Sequence, residues 1–455
     1  MSNALSKGME IIKLLSEYGE AYIVGGAVRD SLMNRIASDI DIATNVPMDK
    51  IESLFPTHDI GKNKVFGIVV VEYKDDHFEV AQFRTDGEYS DGRRPDNVVL
   101  GVTFEEDTKR RDFTINSMGL RKDYGVIDYH NGQCDIKNEV IRTVGDPKQR
   151  FAEDYLRMLR AIRFASRMDF VIENDTMEAI QELAHNITKV AQERIAKELF
   201  KMAEQTGERF AYSMELLKTS NLLKYILPEV DILDQFPHDL DTHPEGDNVW
   251  LHVLSALAVN NEADPVINMA VLLHDVGKAL THVVKDGKNT YHCHEGAGEA
   301  IVNGICDRLK IDNKTRASLV YPCVNHLKFH RLKGMRVSKL ITLTDNINWD
   351  ILVKVAFCDE ACRGEELFSY PEWYNKISYV DFIINKYNNP VNRNNMPVDK
   401  LVSGKLVMEI TGIDKPCKEL GVIIKGTKQW IYDNMVDLDN MDAIRDYIKN
   451  FSLEA

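Results

Sequence analysis

The chain opens with a helical pattern. Residues 5–18 (LSKGMEIIKLLSEY) set apolar side chains three and four apart. From 21 to 145 the apolar runs shorten and glycine-bearing turns separate them. Strand-like runs fall at 21–24, 39–43, 66–73 and 78–83. The segment 85–98, TDGEYSDGRRPDNV, is polar and without periodicity, and it reads as a mobile loop of the kind that carries function. From about Phe151 the pattern turns helical again. DYLRMLRAIRFASRM carries apolar residues at 156, 159, 162 and 165, and MEAIQELAHNI, RIAKELFKMAEQ and FAYSMELLKTSNLL follow. The stretch 228–248, PEVDILDQFPHDLDTHPEGDN, marks a boundary. A further helical block runs to about 365, and 366–455 is helical around the linker NKYNNPVNRNNMPVD. These shifts predict four parts: 1–148, 149–228, 240–365 and 366–455.

Composition narrows the setting. A chain of 455 residues with 44% hydrophobic content buries a core in more than one domain. No run approaches the ~20 apolar residues that span a bilayer, and MSNALSKGMEII lacks a secretory pattern. Seven cysteines include no C-x-x-C pair, which predicts a reduced, cytoplasmic protein. The net charge of −15 argues against a DNA-binding protein. Arginine is nonetheless concentrated at 93–94, 110–111, 157, 160, 163 and 167.

Candidate chemistry begins at Tyr22–Ala43, YIVGGAVRDSLMNRIASDIDIA. A dinucleotide fold requires G-x-G-x-x-G after its strand, and the third glycine is missing. A strand, a tight turn and a helix N-terminus remain, with Arg29 adding a fixed positive charge beside phosphate-binding N–H groups. Asp39 and Asp41 share a strand face if 39–43 is one strand. Two adjacent carboxylates repel unless a divalent cation joins them, and Mg²⁺ binds through such pairs together with substrate phosphates. Glu79, on the run FEVAQFR, is a candidate third ligand. Arg110 and Arg111 suit phosphate. On a continuous helix through EDYLRMLRAIRF, Asp154 and Arg157 become neighbours that offer an acceptor and a forked donor to a base edge. The plainer alternatives are a solvated strand edge, a surface carboxylate, a basic turn and an exposed ion pair.

The ordered set GGAVRD, DID, EVAQFR, RRPD, RRDFTIN, VGDPKQRF, EDYLRMLRAIRF and QERIAKELF resembles the class II tRNA nucleotidyltransferases, the CCA-adding enzymes and their bacterial poly(A) polymerase relatives. The likeness covers about residues 20–205. It implies an α+β head with a small mixed or antiparallel sheet, followed by a mostly helical neck and further helical domains. It implies Mg²⁺ on Asp39 and Asp41, phosphate contacts from Gly26 and Arg29, and binding of CTP or ATP by Arg111, Asp154, Arg157, Arg160 and Arg163. Asp154 and Arg157 would act as an amino-acid template, and loop 85–98 would help switch from C to A. The implied partners are the tRNA 3′ end, CTP and ATP, with neither DNA nor a membrane. Poly(A) polymerases resemble G-R-R-F where this chain has KVFGIVVVEY, which places it on the CCA side. A poly(A) polymerase and a partial, CC- or A-adding enzyme stand as alternatives.

A second set, His252, His274, Asp275 and Asp359 around HPEGDNVWLHV and LLHDVGK, resembles the HD metal-dependent phosphohydrolases. That resemblance implies a divalent metal of the Mn, Ni, Fe, Mg or Zn kind on those four residues. His294 and His326 fit extra ligand positions, and His243, His292 and His330 are assigned to the surface or to supporting contacts. An RNA-binding scaffold retaining only hydrolysis is the alternative of another class.

Overall fold

The computed structural model describes residues 3–37, 39–58, 66–87, 97–364, 369–375, 377–387 and 396–454. They form two compact units: 1–234 with 260–268 and 305–311, and 235–259 with 269–304 and 312–455. The division at 234 falls inside the polar 228–248 stretch.

The first unit holds a seven-stranded sheet. Its strands are β1 (Ala21–Val24), β2 (Asp41–Thr44), β3 (Thr57–His58), β4 (Ile68–Tyr73) and β5 (Asp76–Gln82), then β8 (Gly119–Leu120) and β9 (Val126–Ile127). Between these lie β6 (Arg84–Asp86) and β7 (Val98–Leu100), which pair with each other. The sheet order is β3-β4-β5-β2-β1-β8-β9. Only β2 and β5 run parallel, so the sheet is mixed.

Alternation explains its two faces. Ile23, Ile42, Val69, Val71, Phe78 and Val80 point to one side, against Met9 and Ile12 of α1 (Asn3–Leu15) and Val28 of α2 (Gly26–Leu32). Burying each such side chain stabilises by roughly 1.5–3 kcal/mol. The other face carries a smaller cluster of Val24, Ala43, Phe83 and Phe104 and is otherwise open. One row of register partners crosses this face: Gly119, Val24, Asp41, Glu79, Val70, His58.

Two expectations change here. The second strand begins at Asp41, so Asp39 precedes it rather than sharing its face. The ends of loop 85–98 are strands β6 and β7; residues 88–96, with the RRPD motif, lie outside the described residues.

Helices follow: α3 (Met48–Leu54), α4 (Phe104–Lys109), α5 (Gly132–Lys137), α6 (Pro147–Glu153), α7 (Leu156–Met168), α8 (Asn174–Leu183), α9 (Gln192–Ala203) and α10 (Gly207–Thr219). Asp146 caps α6 by accepting from the Gln149 N–H at 2.8 Å, with Pro147 in the first turn. The predicted stripe Leu156, Leu159, Ile162 and Ala165 is buried on α7.

Among its described residues the second unit has helices and one hairpin, His282–Lys285/Lys288–Tyr291. Among the described residues no helix is long and apolar enough to cross a membrane.

Candidate functional site

A cavity of about 660 Å³ opens in the first unit. Gly25, Gly26, Arg29, Asp39, Asp41, Arg111, Asp154, Arg157, Arg160 and Arg163 all line it; Glu79 is not among its lining residues. The turn between β1 and α2 shapes one wall. Gly25 has φ +70°, a left-handed backbone that favours glycine. A Cβ there would stand 3.7 Å from both Arg111 Nη1 and Asp41 Oδ2, filling the gap between a cation and a carboxylate. Burial pushes the Asp41 carboxyl up; the Arg111 charge opposes this and the Asp39 charge adds to it. Burial and the Asp41 charge likewise raise Glu79, the register partner of Asp41. An all-oxygen donor pair under mutual repulsion, beside an unfilled gap, fits a hard divalent cation such as Mg²⁺.

The cations are braced from behind. Arg29 is buried, donates to Asn116 Oδ1 at 2.7 Å and holds Asp30 Oδ1 at 2.7 Å. Arg111 donates to Asp107 Oδ2 at 3.1 Å, and its Nε is buried without a partner. Burial lowers the Arg111 pKa, and Asp107 works against that. Arg160 makes two bonds to Asp112 Oδ2, at 2.8 and 2.6 Å. Arg163 donates to Glu198 Oε2 at 2.6 Å. Phe164 lies under the guanidinium groups of Arg29, Arg160 and Arg163, 5.1, 5.3 and 4.3 Å from ring centre.

Asp154 and Arg157 do not sit on one helix. The chain breaks between α6 and α7, and Asp154 is extended at the break, with φ −150° and ψ 103°. Its carboxylate accepts the Leu156 N–H at 3.0 Å and two bonds from Arg194, the shorter at 2.7 Å. Arg157 is held by the Arg150 and Arg110 carbonyls and by Glu153. Both still face the cavity. Gly25, Asp112, Asn116, Phe164, Arg194 and Lys201 are lining residues that sequence reasoning did not single out. A signal existed in QERIAKELF: Arg194 and Glu198, four apart on α9, meet opposite charges on Asp154 and Arg163.

In the second unit His252, His274, Asp275 and Asp359 converge, each almost fully buried, with ligand atoms within 4.8 Å of one another. His252 lies on the helix Val249–Val259 and Asp359 on Trp349–Ala361. His274 and Asp275 stand in the turn after Pro265–Leu273. His252 Nε2 is 3.4 Å from Asp275 Oδ2 and 3.1 Å from Asp359 Oδ1. On the other Asp275 oxygen, His294 Nε2 and His326 Nε2 lie at 3.1 and 3.5 Å.

The remote nitrogens fix the rings. His274 Nδ1 bonds the Val271 carbonyl, His294 Nδ1 that of Tyr291 and His326 Nδ1 that of Cys323, at 2.7–2.9 Å. His252 Nδ1 meets Glu245 Oε1 at 2.5 Å. Each Nδ1 therefore donates to its oxygen partner, and each Nε2 faces the Asp275 carboxylate. His252 Nε2, His274 Nε2 and Asp275 Oδ2 are buried without well-aligned hydrogen bonds, and the Lys278 ammonium lies 2.7 Å from Asp275 Oδ2. Such an array suits a divalent metal. Gly277 permits close packing here, because a Cβ would stand 1.9 Å from the His294 carbonyl oxygen. His243 is a supporting residue that shares Glu245 Oε1 at 2.9 Å, and the His330 side chain lies outside the described residues.

The segment that holds the mixed sheet and part of the arginine-lined cavity is similar to polymerase head domains. Residues 21–142 match the Poly A polymerase head domain family, and 169–233 match "Probable RNA and SrmB- binding site of polymerase A". The CCA-adding enzyme of Bacillus subtilis is 44% identical over 213 residues, 46% of this chain and 53% of that one. That of Listeria monocytogenes is 36% identical over 364 residues, covering 77% of this chain and 90% of the relative. The chain belongs to the CCA-adding enzyme family. Its alignments to the Bacillus subtilis and Staphylococcus haemolyticus enzymes span only 53% and 62% of those proteins. The crystal structure of the Bacillus stearothermophilus CCA-adding enzyme in complex with CTP shares the fold, with a TM-score of 0.74 at 23% identity over 100% of this chain and 99% of that one.

Proposed function

We propose that this protein adds and repairs the 3′-terminal CCA of tRNA from CTP and ATP without a nucleic-acid template, in the cytoplasm. Residues 1–148 act as the catalytic head, 149–228 as the neck, 240–365 as an HD-type domain and 366–455 as the tail. The observation that carries the reading is the single cavity shared by Asp39, Asp41, the Gly25–Gly26 turn, Asp154 and eight arginines.

In this reading Asp39 and Asp41 hold Mg²⁺, which when bound offsets phosphate charge. Arg29, Arg111, Arg160 and Arg163 orient the triphosphate and ribose, and Glu79 supports Asp41 from the next strand. The tRNA 3′ hydroxyl oxygen bonds to the α-phosphorus, the bond to the β-phosphate breaks, and pyrophosphate leaves. Base choice falls to Asp154 and Arg157. An ionised carboxylate has about four acceptor positions; Arg194 and the Leu156 N–H occupy three on Asp154. The remaining position accepts the amino group that cytosine and adenine share, and it meets an acceptor on uracil or guanine. The sequencing of products from tRNA ending at the discriminator base, with CTP, ATP and both, tests the proposal. CCA ends are expected, and Asp39→Ala should abolish CMP incorporation. Long A tails on generic RNA would instead indicate a poly(A) polymerase, and arrest at CC a partial enzyme.

A second activity, phosphohydrolysis in an HD-type domain, is favoured by the convergence of the buried ligand atoms of His252, His274, Asp275 and Asp359. His252, His274, Asp275 and Asp359 would hold a divalent metal, with His294 and His326 as additional donors beside Asp275. Metal-dependent hydrolysis of a 2′,3′-cyclic nucleotide, lost in His252→Ala, is the expected result; equal hydrolysis in that variant would sink it.

A further inference from the structure

Outside both sites, His58, Glu72 and His77 bring three ligand atoms within 4.8 Å of one another. They come from three adjacent strands, β3, β4 and β5. Register explains the meeting. His58 pairs with Val70, Glu72 with His77, and Val70 and Glu72 are two apart on β4. Register partners and i, i+2 residues share a face, so all three side chains stand on the open face of the sheet. His58 Nε2 is 3.1 Å from Glu72 Oε2, and the two imidazole rings lie 5.8 Å apart, tilted by 37°. Each strand contributes one donor from a fixed backbone.

We propose that these residues form a third metal site, selective for a borderline transition ion such as Zn²⁺ or Ni²⁺. Two imidazoles and one carboxylate match that class, whereas Mg²⁺ prefers oxygen donors. Zn–N and Zn–O bonds of about 2.0–2.2 Å put neighbouring tetrahedral ligands roughly 3.4 Å apart. The His58–Glu72 separation is already close to that, and a rotamer change of exposed His77 completes the set. Solvent occupies the fourth position. As an ion pair alone, the exposed His58–Glu72 contact contributes under ~1 kcal/mol; a shared metal instead ties the two-residue edge strand β3 to β4 and β5. His58 lies in the Asp41–Glu79 row, three strands from Asp41, or about 14 Å at ~4.8 Å per strand, and Glu72 and His77 pair in the row two residues along β4 and β5.

The test is equilibrium dialysis of the full chain against micromolar Zn²⁺, with bound metal counted by elemental analysis. The wild type should retain one more equivalent than His77→Ala and than His58→Ala, with the folds checked by circular dichroism. His252→Ala, which leaves the sheet intact, should keep the extra equivalent, so loss of the HD-type site does not mimic loss of this one. His77→Ala should retain CMP incorporation in Mg²⁺ while losing the Zn²⁺-dependent rise in melting temperature. Equal stoichiometry in the wild type and both histidine variants overturns the proposal.

Discussion

Asp112 shows how one carboxylate supports a cationic cavity. Burial raises its pKa, but the Arg160 charge and hydrogen bonds, with Arg157 and Asn116 behind them, outweigh burial and bring it to about 2. An unfolded aspartate titrates near ~3.9. The folded pKa is the lower of the two. The stabilisation is therefore complete above about pH 4 and is lost as pH falls through about 2, and it amounts to roughly 2–3 kcal/mol. Acid unfolding of Asp112→Asn against wild type checks this. The variant should be less stable at pH 7 by about that amount, and the two curves should converge near pH 2. A constant offset down to pH 2 would place the effect in packing instead of charge.

At the level of elements, alternation and helical stripes made β1, β4, β5 and α7 legible from sequence within a few residues. The stripe on α7 was readable because its burial repeats every turn. The break before it was not. Glu153–Asp154–Tyr155 contains neither glycine nor proline, and the Asp154 bend is held by Arg194, forty positions away. Local propensity carries no trace of such a contact. The same holds for Asp39. Its strand partner pattern was written in D-I-D-I, but the pairing with β1 ends at Val24 and Asp41, so the strand stops there. Of the candidate cavity, the residue types and their order were visible; the α9 partners showed only as an i, i+4 pair, and the Asp112 partner did not show. In the second unit the four converging ligands were legible as residues, while the carbonyls and Glu245 that orient the rings depend on tertiary packing.

Taken as a whole molecule, the chain places its two candidate sites in two units, and neither unit is a continuous stretch of sequence. The first unit takes in 260–268 and 305–311. Asn268 Nδ2 bonds the carbonyls of Ala203 and Gln205 at 2.9 and 2.8 Å, and the Asn260 carbonyl accepts from the Gly207 N–H at 2.8 Å. Arg308 holds Glu229 through two bonds of 2.7 Å. A fragment ending at residue 234 lacks all of these partners. Each buried group so stranded costs about 1–3 kcal/mol. Thermal unfolding of that fragment should therefore begin at lower temperature than for a fragment ending at 311, and equal melting points would refute the dependence. During synthesis the same connectivity imposes an order of events. Domains generally fold as units while the chain emerges. Here the first unit receives its last segment only after residue 311 has left the ribosome. The nascent head must wait, with open carbonyls at the end of its neck, while much of the histidine-bearing unit is still being made.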